Sequence, residues 1–151
     1  ALTGAVGVGL VVLVADCTPV VLVAPRERLV AVAHAGRAGL VAGVVPATVG
    51  ALRDAGATDL VARVGPSICG RCYEVPAAMR EEVAAAVPQS RAVTSRGTPA
   101  LDVAAGVLAQ LRTSCAEVSR LEVCTAESPD YFSFRRDSIT GRFGMLTWAQ
   151  P

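Results

Sequence analysis

The sequence predicts one domain of the α/β (α+β) class, in which a mixed sheet is layered with helices. Three observations support this prediction: a length of 151 residues, an apolar content of 52% against 18% charged residues, and strand-like and helix-like segments that interleave without strict alternation. Domains commonly have this length, and the composition supports a dry core. The irregular order of elements favours a mixed sheet over a purely parallel one. We therefore expect residues 1–151 to form a single domain.

Three apolar, β-branched runs open the chain. Residues 7–15 are predicted to form a strand buried on both faces, residues 19–24 a second buried strand, and residues 29–33 a third strand that ends at His34. Short polar breaks separate the runs, which predicts antiparallel neighbours in the core of one sheet. Further strands are expected at residues 60–64, 121–124 and 143–148.

Three helices are predicted in the remaining sequence. The first carries an apolar stripe from Leu40 to Leu52 and ends at Gly56, a residue type typical of helix C-caps. The second begins at Pro76 and runs to residue 87. The third extends to Leu111 and begins near Asp102, whose carboxylate favours a helix N-terminus.

The charge composition excludes several partners and chemistries. The formal net charge is +1 and aromatic residues make up 4% of the chain, so neither a nucleic acid nor an anionic membrane is an expected partner. All 14 cationic side chains belong to Arg, which excludes a catalytic Lys or a Schiff base. Five irregularly spaced cysteines favour a reducing compartment, and we expect a cytoplasmic protein.

His34 is the only histidine in the sequence. A site with three histidines, or a multicopper cluster, cannot be built by this chain alone. Cys17 and His34 each follow an apolar run, and small residues such as Gly36 come after His34, which favours close approach of a ligand. The two side chains are candidates for a shared zinc site or for a nucleophile with its base, or they form a buried thiol beside a hydrogen-bonded imidazole.

Two further segments carry reactive side chains. Cys69 and Cys72 form a C-x-x-C that fits a redox pair, half a zinc site or a glycine-rich turn lining a pocket. A redox pair would lie at a helix N-terminus, whereas the next helix begins only near Pro76, and the turn is therefore the favoured interpretation. Arg135 and Arg136 offer planar forks for phosphate or carboxylate, or form ion pairs in a surface loop. In an extended stretch adjacent side chains face opposite ways, so one Arg is expected in a cleft and the other paired with Asp137.

Four segments taken together resemble the YfiH-like family. They are ADCTPV at residues 15–20, VAVAHAGRAG at 30–39, GPSICGRCYEV at 65–75 and FSFRRDSITGRF at 132–143. The family is variously called multicopper polyphenol oxidase (laccase domain), peptidoglycan editing factor and purine nucleoside phosphorylase. The resemblance implies a mixed α/β sandwich related to the toxin domain of cytotoxic necrotizing factor.

The resemblance also implies a zinc ion held by one cysteine and two histidines, of which Cys17 and His34 match the family's A-D-C and H-A-G motifs. The other family histidine lies in a Q-x-H-G segment upstream, and only 16 residues precede Cys17. We therefore expect the family's N-terminal part to be missing from this chain. Arg37 stands where the family commonly has Trp, and Cys69 where it commonly has Gly, which leaves the role of Cys69 open.

The implied function is a zinc-dependent purine nucleoside phosphorylase that also deaminates adenosine, with adenosine, inosine and methylthioadenosine as substrates and phosphate as co-substrate. Cys17 and His34 are then the catalytic and metal-binding residues, and Arg37, Arg135 and Arg136 the substrate-binding ones. The alternatives are a copper-dependent polyphenol oxidase of the laccase type and a Cys–His hydrolase that edits peptidoglycan precursors. The chain as it stands is also compatible with an inactive protein, and its oligomeric state is not predicted.

Overall fold

The computed structural model describes residues 1–150 and centres on a five-stranded mixed sheet. Its order is β1-β4-β3-β5-β8, and every neighbouring pair is antiparallel except β5 and β8. The prediction of a mixed sheet is thereby confirmed. The strands are β1 (Leu2–Thr3), β3 (Thr18–Ala24), β4 (Leu29–Ala35), β5 (Val61–Val64) and β8 (Glu117–Arg120).

Helices cover one face of this sheet and enclose the larger core. Alternate residues of β3 and β4, such as Val20, Leu22 and Ala33, pack there with Leu52 and Val107 from two of the helices. Strand side chains alternate between faces, so only half of each strand faces this layer. The helices of this layer are α1 (Arg37–Val41), α2 (Val44–Asp54), α3 (Ala77–Ala86) and α4 (Val103–Arg112). A fifth short helix, α5 (Phe134–Asp137), contributes no residue to this core.

A two-stranded antiparallel sheet covers the opposite face. It pairs β2 (Gly9–Val14) with β9 (Phe143–Trp148), and it buries Val12 and Val14 against Val21 and Val32 of the central sheet. The predicted strand at 143–148 is confirmed. The prediction that the first run is buried on both faces was wrong, because Val11 is 55% exposed. The first run was also predicted to lie beside the next two strands in one sheet, and this was wrong. It pairs with β9 in a separate sheet, which packs against the face of the sheet that contains β3 and β4.

The helices begin and end close to the predicted positions. Gly43 has a left-handed φ of 75° and splits the first predicted helix into α1 and α2. Gly56, at φ 99°, follows α2, as expected of a residue that ends a helix. The Asp102 carboxylate accepts a hydrogen bond of 2.8 Å from the Ala105 backbone N–H, which caps α4.

The region between residues 88 and 124 departs most from prediction. The structure forms a small hairpin from β6 (Arg91–Val93) and β7 (Pro99–Leu101), which the apolar pattern did not show because each strand has three residues. The strand predicted at 121–124 was wrong: β8 ends at Arg120, and Leu121 is exposed. No helix in the described part of the chain has both the length and the apolar character to span a membrane.

Two helical glycines provide a matched test of this packing. A Cβ on Gly50 of α2 meets no atom within 4 Å, whereas a Cβ on Gly106 of α4 would lie 2.8 Å from Leu40 and 3.0 Å from Val87, both buried. We expect Gly50→Ala to stabilise the protein by about 0.5–1 kcal/mol through helix propensity. Gly106→Ala should destabilise it by about 1–3 kcal/mol through overpacking. Urea denaturation measures both, and equal effects would contradict the packing described.

Candidate active site

A cavity of about 390 Å³ lies beside the loop that joins β2 to β3. Residues from six separate parts of the chain line it, and they combine apolar side chains with one thiol, one carboxylate and three guanidinium groups. The lining residues are Ala15, Asp16, Cys17, Gly36, Arg37, Ile68, Tyr73, Val103, Phe134, Arg135 and Arg142.

Asp16 joins these segments. Its backbone has a left-handed φ of 80°, a conformation that Asp and Asn adopt more readily than most residues. One carboxylate oxygen accepts a bond of 2.6 Å from the Thr125 hydroxyl, and the other accepts one of 2.7 Å from the Arg135 backbone N–H. The Asp16 carbonyl accepts a further bond of 3.0 Å from the Ile68 N–H. This residue therefore positions three remote segments around the cavity.

Cys17 lies half-buried between the cavity and the smaller core. Burial raises the pKa of its thiol, the Asp16 carboxylate raises the pKa further, and Arg142 opposes both effects. A Cβ on Gly36 would approach the Cys17 sulfur to 2.9 Å, so the position opposite the thiol needs a glycine. The glycine that follows His34 and Ala35 is therefore required because a side chain at this position would clash with Cys17.

His34 lies in β4 directly opposite Pro19 of β3. Its side chain is exposed, and it is on the sheet face that carries Val32, one of the residues in the core cluster against which Cys17 packs. Both candidate ligands are therefore found at one end of the β3–β4 pair, although His34 does not line the cavity. Their sharing of one metal ion stays a prediction.

The structure separates the two adjacent arginines. Arg135 lines the cavity, with its guanidinium 5.0 Å above the Tyr73 ring and 2.8 Å from the Glu74 carbonyl oxygen that it contacts. Arg136 instead donates to the backbone carbonyls of Thr125, Ser128 and Tyr131 and pairs with Asp137. The predicted extended stretch was wrong, since residues 134–137 form the short helix α5.

The other arginines of the cavity lie in different elements. Arg37, the third Arg predicted to bind substrate, is the first residue of α1 and lines the cavity. Arg142 also lines it, just before β9, and was not among the predicted site residues. Arg142 belongs to the FSFRRDSITGRF segment, but nothing local in the sequence places that part of the segment beside Cys17.

A second group of reactive side chains lies next to this cavity. One donor atom each from Cys69, Cys72, Cys124 and Glu127 lies within 4.8 Å of all the others. Burial raises the pKa of the Cys69 and Cys72 thiols. Hydrogen bonding to Cys124 raises the pKa of Cys69 further, and hydrogen bonding to Glu127 does the same for Cys72. The favoured interpretation of Cys69 and Cys72 as part of a turn did not anticipate their approach to Cys124 and Glu127. The spacing Cys124-x-x-Glu127 was the available signal.

Comparison with known proteins assigns the family. A family model described as multi-copper polyphenol oxidoreductase laccase matches residues 1–150. The chain belongs to this family. A protein of Streptomyces coelicolor named purine nucleoside phosphorylase SCO2081 is 56% identical over 145 residues, which are 94% of this chain and 60% of that protein. Purine nucleoside phosphorylase Rv2149c of Mycobacterium tuberculosis is 45% identical, over 93% of this chain and 58% of that protein.

Solved structures of the family share the fold. Protein NMB0706 of Neisseria meningitidis aligns with a TM-score of 0.86 and 28% identity, over 100% of this chain and 64% of that one. YlmD of Geobacillus stearothermophilus gives a TM-score of 0.85 and 30% identity, over 99% and 60% of the two chains. The predicted fold type and family are thereby confirmed. The chain spans about three fifths of the length of the relatives it matches.

The Asp16 contacts generate a stability prediction. Asp16→Asn keeps a residue type that tolerates positive φ but leaves one carboxamide oxygen for two donors. We expect the free energy of unfolding to fall by about 1.5–3 kcal/mol, the value typical of a hydrogen bond to a charged group. Asp130→Asn, at an exposed aspartate in a nearby loop, is the control and should change stability little. Equal values for the two variants in urea denaturation would show that the Asp16 bonds contribute nothing.

Proposed function

We propose that this protein cleaves purine nucleosides with phosphate and deaminates adenosine, with a zinc ion bound at Cys17 and His34. The observation that carries the proposal is a cavity in which the Cys17 thiol and the guanidinium groups of Arg37, Arg135 and Arg142 come together. The names of the relatives, purine nucleoside phosphorylase, support it. Inosine and methylthioadenosine are further substrates under this proposal.

The cavity suits a nucleoside in size and surface. Its volume of about 390 Å³ lies within the range of small-molecule sites. Ile68, Tyr73, Val103 and Phe134 supply an apolar lining that can receive the flat purine base. Tyr73 is held from one side by the Arg135 guanidinium, so its ring orientation is supported before substrate binds.

The arginines are suited to phosphate. The sequence has no Lys, so a phosphate co-substrate is met by Arg, hydroxyl groups or backbone amides. In phosphorolysis a phosphate oxygen forms a bond to C1′ while the bond from C1′ to the purine nitrogen breaks, which releases the base and ribose 1-phosphate. Arg135 is fixed by the Glu74 carbonyl and the Tyr73 ring, and in this role it orients the phosphate and offsets its charge.

The donors at Cys17 and His34 are of the types that zinc prefers. When bound there, zinc supplies a Lewis acid and a bound water of lowered pKa. Because His34 is the only histidine in the sequence, a third ligand of that type has to come from outside residues 1–151. In deamination, oxygen from water replaces the amino group at C6 of adenosine and ammonia leaves. The role of this chain's residues is to hold the base and exclude bulk water.

The alternatives are less well supported by the site. A multicopper oxidase needs several imidazole ligands, and this sequence has one histidine. Copper in the Cys17–His34 site is still the alternative metal, in line with the description of the family model. A metal-independent Cys–His hydrolase needs a thiolate at neutral pH, whereas burial and Asp16 raise the pKa of Cys17.

Arg135→Ala in the full-length protein tests the phosphate assignment. Loss of a charge-assisted bond of about 1.5–3 kcal/mol should raise KM for phosphate by about 10- to 150-fold in inosine phosphorolysis. Adenosine deamination uses no phosphate and should fall much less. Arg112→Ala, which removes an exposed Arg at the end of α4, is the charge-matched control and should change neither activity.

The contrast with Arg136 sharpens this test. Arg136→Ala removes contacts that hold the loop at residues 125–131, so it should lower thermal stability and reduce both activities together. If Arg135→Ala also reduced phosphorolysis and deamination by the same factor, Arg135 would be a structural residue and the phosphate assignment would be wrong.

A further inference from the structure

Two chain turns of matching shape meet beside the cavity. The first carries Cys69 and Cys72, and the second carries Cys124 and Glu127; together these four residues form the cysteine cluster. The three thiols are half-buried, and the Glu127 side chain is exposed. No other group of three or more metal-binding side chains was found among residues 1–150.

Each turn directs its first and fourth side chains toward one point. In the first turn the Cys69 carbonyl accepts bonds of 3.0 Å from the N–H groups of Cys72 and Tyr73. In the second, the Cys124 carbonyl accepts bonds of 3.2 and 3.0 Å from the N–H groups of Glu127 and Ser128. Two turns with C-x-x-C type spacing, facing each other, are the arrangement that structural zinc sites use.

Backbone contacts hold the two turns in register. Ser67 and Cys124 form a parallel bridge, in which the Ser67 N–H donates to Val123 and the Thr125 N–H donates to Ser67. The Cys69 N–H donates to the Cys124 sulfur at 3.3 Å, which links the two turns directly. The four donors are therefore brought together by main-chain geometry and not only by side-chain rotamers, so little ordering is needed for an ion to bind.

The donor set and its charge select the ion. Three sulfurs and one carboxylate oxygen make a four-coordinate set typical of zinc, whereas calcium and magnesium need oxygen ligands. Arg71 pairs with Glu127 at 3.3 Å, which supplies a positive charge beside a site that holds more negative ligands than a divalent cation neutralises. With every position filled by protein, such a site is closed and structural.

We propose that the cysteine cluster binds one zinc ion that clamps residues 67–72 to residues 123–128. The clamp lies directly beside the cavity wall, since Ile68 precedes Cys69 and Thr125, which donates to Asp16, follows Cys124. It is independent of the metal proposed at Cys17 and His34 and of the reaction proposed for the cavity. Either assignment can fail without the other.

Cobalt substitution in the purified protein tests the clamp. After removal of bound metal, titration with Co²⁺ should produce a thiolate-to-cobalt charge-transfer band and the visible bands of tetrahedral cobalt. Cys72→Ser should weaken cobalt binding at this site by more than about 100-fold, because loss of a ligand exceeds the 10- to 100-fold effect of losing a supporting residue. Glu127→Gln should weaken it while keeping the charge-transfer band of three thiolates.

Two cysteines outside the cluster provide matched controls. Cys115→Ser, at a half-buried thiol that follows α4, should leave the cobalt spectrum and affinity unchanged. Cys17→Ser should keep the three-thiolate band, and its effect on nucleoside cleavage then reports only on the proposed active site. Loss of the band in Cys17→Ser would contradict a separate clamp.

A measurement on the unaltered protein covers the case in which Cys72→Ser does not fold. Alkylation followed by mass spectrometry should show Cys69, Cys72 and Cys124 protected as a set in the zinc-loaded protein and exposed together after a chelator is added. Cys115 should react equally in both states. Independent reaction of the three thiols, a Cys69–Cys72 disulfide in the protein purified under reducing conditions, or stoichiometric copper in the cluster would each overturn the proposal.

Discussion

The hydrogen bonds of Asp16 are the constraint on which the site depends. A single carboxylate at the end of β2 accepts from Thr125 and from the backbone of Arg135, residues that lie more than a hundred positions away in the sequence. Its carbonyl fixes Ile68 as well. Ordering a loop costs conformational entropy for each residue that becomes fixed. These hydrogen bonds offset that cost in segments that contribute little to the hydrophobic core. The cavity wall therefore depends on a residue whose backbone is itself left-handed.

The central sheet explains why the candidate ligands are near each other. Alternate side chains of β3 and β4 pack into two different hydrophobic cores. One core lies beneath the helices and the other beneath the β2–β9 sheet. Cys17 and His34 belong to the second side, where the covering layer is only two strands wide. The helical side is closed by a much larger cluster. Reactive groups at this end of the sheet are thus supported by rigid strands while staying open to solvent.

The arginines show how one residue type serves two purposes. Arg135 faces the cavity and stacks on Tyr73, whereas Arg136 uses its guanidinium to satisfy three backbone carbonyls of the preceding loop. Five donors in a planar fork allow the second role, which a lysine could not fill. The Asp137 carboxyl, held by Arg136 at a lowered pKa, completes this support. Arg136 thus anchors the preceding loop, while the cavity-facing Arg135 is held by Tyr73 and the Glu74 carbonyl.

The sequence by itself determined the elements whose signal is local. Continuous β-branched runs predicted β3 and β4, the apolar stripe ending at Gly56 predicted α2, and Asp102 marked the start of α4, because propensity and capping act within a few residues. The motif segments also indicated the family and the candidates Cys17, His34, Arg37 and Arg135. Short elements such as β6 and α5 carried too few residues for a periodic signal.

Only the tertiary structure decided which of these residues meet. The pairing of β2 with β9 exposed one face of a run that looked fully buried, since an apolar sequence does not state which partner covers it. Arg142 reached the cavity, and Cys124 with Glu127 reached Cys69 and Cys72, through contacts between residues far apart in the chain. Such contacts are set by how the layers pack and by a few long-range hydrogen bonds, and no local pattern of residues encodes them.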